Sequence, residues 1–158
     1  MFESIEGKPC RPRSDRTKFP TQQGLFGKPT VINNVETFTA VPIIMMETGK
    51  KWSQSAKGEN GEFGVKIYNV VGDCLDKSKF MEYPVGVKFS TILDELGIRD
   101  KVMAAEIGGS TDPITLAKDF DKPLGFKQGT LSGMGSIVLF GHNRNLEDIY
   151  KNKMEFMK

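Results

Sequence analysis

Hydrophobic patterning of a buried sheet occupies one stretch of this chain, and that stretch limits the fold more than any other feature. From Glu62 onward, Val65, Ile67 and Asn69 alternate with Lys66, Tyr68 and Val70, the period of a strand, and the run ends at Gly72 after about eight residues. A turn over Asp73 to Ser78 leads into a second alternating run, Lys79 to Val85, so the two predict an antiparallel hairpin. Phe89, Ile92, Leu93 and Leu96 then share one face of a short helix that begins near Ser90 and stops at Gly97, with Thr91, Asp94 and Glu95 opposite. Lys101 to Ile107 reads as a third strand and Ser136 to Phe140 as a fully apolar fourth.

A hairpin, one helix and further strands, in that order, define an α+β chain of the β-grasp (ubiquitin-like) class, in which the sheet wraps across the helix. A ferredoxin-like α+β domain would need a second helix between strands, and 108–135 offers none. Gly108 to Pro113 and Gly129 to Gly135 read as turn-rich loops whose glycines supply positive φ. The core is therefore placed between about Glu62 and Phe140.

The flanks differ. Pro9, Pro12, Pro20 and Pro29 alternate with basic side chains at Arg11, Arg13, Arg16 and Lys18, too little apolar content to order the segment by itself. Pro29 to Ile32 is a short β-rich run. Asn34 can cap a helix carrying Val35, Phe38, Val41, Ile44 and Met45, with a kink or break expected at Pro42 and Gly49 as the stop. Lys50 to Gly61 reads as a polar connector. At the other end Leu146, Ile149, Tyr150, Met154 and Met157 mark an amphipathic helix that Asn145 can cap.

Composition excludes several classes. With 22 Lys and Arg against 20 Asp and Glu, spread along the chain, there is no electrostatic footprint for nucleic acid or a membrane surface. No apolar run approaches the roughly 20 residues a bilayer requires, and the N-terminus lacks a signal-peptide core, so a cytoplasmic chain is expected. Cys10 and Cys74 read as free thiols; with one histidine they cannot form a four-ligand metal site without carboxylates. His142 has no nucleophile beside it, and Glu3 with Glu6 and Asp94 with Glu95 read as solvated rather than as acid–base pairs. Neither glycine loop is a phosphate-binding fingerprint. Asn33 and Asn34 are open to two readings: a turn residue and a cap, or paired amide donors at the positive end of a helix, where an anionic or polar ligand can be held.

The run Gly24-Leu25-Phe26-Gly27-Lys28-Pro29-Thr30-Val31-Ile32-Asn33-Asn34-Val35-Glu36-Thr37, preceded by Ser4-Ile5-Glu6-Gly7-Lys8, Pro12-Arg13 and Phe19-Pro20, resembles the NADH-binding flavoprotein subunit of respiratory complex I, a module shared with NAD-dependent hydrogenases and formate dehydrogenases. The resemblance is strong over 3–49, moderate over 62–109 and weaker after that. Gly108 to Pro113 departs from the family's GGPSGG loop, and Met134 to Ile137 from its MGSGG run.

What the resemblance implies is a fragment of such a subunit: 1–61 as the C-terminal tail of an FMN-binding domain and connector, 62–141 as a soluble-ligand-binding β-grasp domain, and 142–158 as the start of a linker helix toward a [4Fe-4S] domain. Asn33, Asn34 and Thr37 would be FMN contacts, and Arg16 or Lys18 would lie near NADH. The parent would oxidise NADH through FMN and pass electrons to iron-sulfur clusters. This chain would have no catalytic or metal-binding residue and hold no cofactor of its own. Its partners would be the FMN and [4Fe-4S] domains of the same polypeptide and other iron-sulfur subunits, in the cytoplasm or peripheral to a membrane complex. The alternative is a non-catalytic β-grasp module that binds a protein or a small ligand.

Overall fold

A computed structural model describes residues 19–55, 57–58, 61–109 and 111–156. The chain divides into two compact units, Met1–Met46 and Glu47–Lys158. Arg16, Lys18, Cys10, the Glu3 and Glu6 pair and Met157 lie outside the described residues.

The first unit holds a short helix α1 (Pro20–Gln23), a 3-10 turn (Leu25–Gly27) and most of α2 (Val35–Glu47). The β-rich run at Pro29 to Ile32 forms no strand: Val31 and Ile32 are 78% and 71% exposed. β-propensity without a neighbouring strand to pair does not make a strand. Pro42 does not break α2, which runs unbroken from Val35 to Glu47. The break falls at Thr48, whose φ is +78°, and Gly49 opens the next helix, α3 (Gly49–Ser55), instead of ending the last one. The Thr48 hydroxyl accepts from the Lys51 N–H at 3.4 Å, so a hydroxyl starts a helix where a polar connector was expected.

The second unit is built on a five-stranded sheet of β1 (Val65–Gly72), β2 (Lys79–Pro84), β3 (Val102–Ile107), β4 (Ile114–Leu116) and β7 (Ser136–Gly141), in the order β2-β1-β7-β3-β4. β1 and β7 are parallel at the centre; the other neighbours are antiparallel. β7 takes the centre because Ile137, Val138, Leu139 and Phe140 leave neither face polar, which suits a strand covered on both sides. The hairpin pairs Asn69 with Phe80 and Ile67 with Glu82.

Helix α4 (Phe89–Glu95) lies in the concavity, with Phe89, Ile92 and Leu93 fully buried against Tyr68, Val70, Ile107, Ile137 and Leu139. This is the β-grasp arrangement, and the core lies within the predicted stretch. Phe89 and Phe120 meet edge to face at 5.1 Å, a geometry worth about 0.5–1.5 kcal/mol beyond the buried area. On the opposite face of β3, Glu106 meets Lys153 of α5 (Leu146–Phe156) at 3.1 Å.

The stretch 108–135 contains more order than the sequence indicated. Besides β4 it forms a 3-10 turn (Ala117–Asp119) and a small parallel pair, β5 (Leu124–Gly125) with β6 (Leu131–Ser132). These strands are two or three residues long, too short for an alternation to register. Gly108 and Gly129 do adopt positive φ, but Gly133 and Gly135 do not. Those two are needed for closeness: a Cβ on Gly135 would stand 2.4 Å from the Ile67 carbonyl oxygen, and one on Gly133 2.7 Å from the Phe126 ring. Among the described residues no helix is long and apolar enough to cross a membrane.

Candidate functional site

The loop ahead of α2 is locked by its own sequence. Gly24 N–H donates to Lys28 O at 2.8 Å and Thr30 N–H to Pro20 O at 2.8 Å. The Thr30 hydroxyl accepts from Leu25 N–H at 2.9 Å and donates to Lys28 O at 3.0 Å. A Cβ at Gly24 would come within 2.4 Å of Thr30, and Phe26 and Gly27 take φ of +55° and +70°. Glycines at 24 and 27 and a threonine at 30 are thus what a loop this tight requires.

That loop delivers Asn33 and Asn34 to the first turn of α2. The Asn34 Oδ1 accepts from Glu36 N–H at 2.8 Å, and its carbonyl accepts from Phe38 N–H at 3.1 Å, so Asn34 is the cap that the sequence indicated. With its oxygen engaged, Asn34 has only its amide N–H groups to offer outward. Asn33 and Thr37 are exposed on the same end of the helix. Two amides and a hydroxyl at the positive end of a thirteen-residue helix form a donor-rich surface that fits phosphate or polyol oxygens. Asn33 and Asn34 thus immediately precede α2, and Thr37 lies in its first turn.

A second site lies in the other unit, where the β3–β4 connection faces the β5–β6 pair across a cleft of about 430 Å³. Ile107, Thr115, Leu131, Asp112, Ser132 and Phe126 are among the residues that line it. Asp112 Oδ2 accepts from Gly109 N–H at 2.6 Å. A Cβ on Gly108 would lie 2.2 Å from that oxygen and 2.7 Å from Ser132 Oγ, so the glycine keeps the wall closed.

Several polar groups were not legible from spacing. Asp73, just past β1, accepts from Gly141 N–H at 2.7 Å and from Arg144 Nε at 2.6 Å, tying the ends of the two central strands. Burial raises its pKa, but the Arg144 hydrogen bond, the Gly141 N–H and the Arg144 charge outweigh it, so the carboxyl titrates below its ordinary value. The Cys74 thiol faces Asp73 and the Lys101 carbonyl; burial first, then the Asp73 charge, push its pKa up, which disfavours the thiolate. Asp94 and Glu95 are exposed but not simply solvated: Asp94 pairs with Arg99 at 3.3 Å, and Glu95 accepts from the Tyr83 hydroxyl. His142 is an exposed loop residue. Among the described residues no group of three or more His, Cys, Asp or Glu could hold a metal ion.

No family model matches the chain. Its whole length is nonetheless similar to one segment of much longer proteins. The NAD-reducing hydrogenase HoxS alpha subunit of Cupriavidus necator is 38% identical over 156 residues, 99% of this chain and 25% of that protein. The F 2 subunit of the NADH-quinone oxidoreductase in Rhizobium meliloti is 35% identical over 99% of this chain and 38% of its own length. The corresponding F subunit in Mycobacterium tuberculosis is 30% identical over 100% and 36%. Among solved structures, an NAD+-reducing [NiFe]-hydrogenase in the H2-reduced state superposes with a TM-score of 0.68 at 27% identity, covering 87% of this chain and 24% of that one. The chain spans about a quarter to two fifths of the length of these relatives.

Proposed function

Because the chain is homologous along its whole length to one segment of the NADH-quinone oxidoreductase F subunit and of an NAD-reducing hydrogenase alpha subunit, we propose that it is the corresponding part of an NADH-oxidising flavoprotein subunit. In this reading 1–61 is the tail of an FMN-binding domain and its connector, 62–141 the β-grasp domain, and 142–158 the start of a helix toward a [4Fe-4S] domain. The observation that carries the proposal is the locked loop that sets Asn33, Asn34 and Thr37 at the start of α2, since a donor-rich helix start suits the ribityl and phosphate oxygens of FMN. Bound FMN supplies hydride acceptance from NADH and one-electron release toward iron-sulfur centres. The chain's own residues would orient it: Asn33 and Asn34 would donate through their amides and Thr37 through its hydroxyl, and the family resemblance assigns Arg16 or Lys18 to the neighbourhood of NADH.

The exposed apolar side chains of the first unit support the same reading. Val35, Met45 and Met46 are each at least 79% exposed, more apolar surface than a segment of this size leaves to water unless another surface covers it. The two cysteines of the sequence cannot supply the four thiolates of a cluster, so the [4Fe-4S] centre and the hydride chemistry are assigned to the rest of the assembly. Its partners would be the FMN and [4Fe-4S] domains and neighbouring iron-sulfur subunits, on the cytoplasmic side.

The test replaces the matching segment of the Cupriavidus necator protein with this chain and reads NAD+ reduction and released FMN. The chimera is expected to retain both, and Asn33→Ala with Asn34→Ala to lower FMN content. Full FMN content and activity despite both substitutions would defeat the proposal. The isolated chain is expected to bind FMN no tighter than millimolar; micromolar quenching of flavin fluorescence that Asn33→Ala abolishes would show the chain to be sufficient alone.

A further inference from the structure

The outer face of the five-stranded sheet is covered over one half only. Tyr68, Met81 and Ile137 belong to the core, so strand alternation turns their neighbours Ile67, Phe80, Glu82 and Val138 to the opposite side. Over β3 and β4 that side is closed: the Lys153 ammonium of α5 meets Glu106 at 3.1 Å, and Ile114, opposite Glu106 in β4, is 8% exposed. Over β1 and β2 it is open, with Ile67 and Phe80 48% and 72% exposed. Five strands set about 4.8 Å apart give a face about 19 Å from edge to edge, which has room for two helices of about 10 Å; α5 fills one place.

The open half repeats the chemistry of the covered half. In each a glutamate stands among apolar residues: Glu106 beside Ile114 and Val138, Glu82 beside Ile67 and Phe80. A helix lysine meets Glu106, whereas Glu82 is exposed and has no ion pair among the described residues. Glu82 is also the one charged residue that β1 and β2 turn to that side, since Lys66 and Lys79 alternate with the core-facing set. Between the strands Asn69, opposite Phe80, has its amide oxygen shielded from water without a hydrogen-bond partner among the described residues. Buried oxygens of that kind are normally paired, and a turn of the amide offers this one to a donor from outside. An apolar strip holding a carboxylate and an amide acceptor selects a partner with apolar side chains and a cationic donor. We propose that β1 and β2 dock an amphipathic helix of a separate polypeptide, which lies beside α5 and sets a lysine or arginine of its apolar stripe against Glu82. The surface belongs to the β-grasp unit alone and does not depend on the electron-transfer reading.

The probe is a synthetic amphipathic helix of about 18 residues with leucines along one face and a single lysine among them, titrated into the isotope-labelled 158-residue chain and followed by amide NMR. A twin peptide carries glutamate in place of that lysine. Saturable shifts at residues 67–71, 80–82 and 138–140 are expected with the lysine peptide. Glu82→Lys is expected to weaken it roughly fivefold and to tighten the twin by a similar factor, with the core resonances unmoved. Phe80→Ser is expected to weaken both peptides about tenfold. The absence of saturable shifts at those residues, affinities indifferent to Glu82→Lys, or shifts centred on the exposed apolar residues of α2 would overturn the proposal. Shifts of the same residues on raising the protein concentration without peptide would place a second copy on the face and overturn it equally.

Discussion

The staple at Asp73 offers the sharpest test of how the sheet is held. Asp73→Ala removes the side-chain acceptor that Gly141 N–H uses at the buried end of β7, and stranding such a donor costs about 1–3 kcal/mol. The ion pair to Arg144 adds little, because the Arg144 side chain is 59% exposed and such pairs contribute about 0–1 kcal/mol. The total of about 2 kcal/mol corresponds to a fall in Tm of roughly 6–10 °C for a unit of this size. Asp73→Asn keeps an oxygen for Gly141 and forfeits only the charge, so it should lose about 1 kcal/mol or less. Thermal unfolding followed by circular dichroism at neutral pH distinguishes the two. The acid limb provides a second reading: because the folded carboxyl titrates below its unfolded value of about 3.9, its contribution is complete above that value and disappears as the pH falls through the lower folded one. The Asn variant should lack that loss. If Asn proves as damaging as Ala, charge and not the acceptor oxygen holds the strand ends, and the reasoning fails.

Other perturbations reach different parts of the molecule. Gly135→Ala places a methyl 2.4 Å from the Ile67 carbonyl oxygen beside the parallel β1–β7 pair, so it should cost about 1–3 kcal/mol in denaturant unfolding. Asn34→Ala removes the cap on Glu36 N–H and should cost α2 about 1 kcal/mol, seen as faster amide exchange in its first turn while the sheet amides stay protected. Lys153→Met leaves Glu106 without its cation at a site where Lys153 is 9% exposed, so it should destabilise, and Glu106→Leu added to it should restore most of the loss. Tyr83 is held above its ordinary pKa by burial, by its hydrogen bond to Glu95 and by the Glu95 charge. Its stabilising contribution should thus persist below about pH 10 and fade as the pH rises through the folded value, a loss absent in Tyr83→Phe.

The sequence by itself determined the elements that repeat a period often enough to be read. β1 and β2 alternate over six to eight residues, α4 carries four apolar residues on one face, and β7 is apolar throughout; all four appeared where expected, and with them the core. It also determined the cap at Asn34, because capping is a contact between near neighbours in the chain. Tertiary structure decided the rest. β4, β5 and β6 are two or three residues long and exist through their partners, so no local pattern announces them. Glycines 133 and 135 read as turn formers but serve close approach, which depends on what lies across the gap. Thr115 is inconspicuous in the sequence and is buried only because β4 pairs with β3, which sets it opposite Ala105. Periodicity reports which face of an element is buried; what stands opposite that face is decided by the three-dimensional pairing.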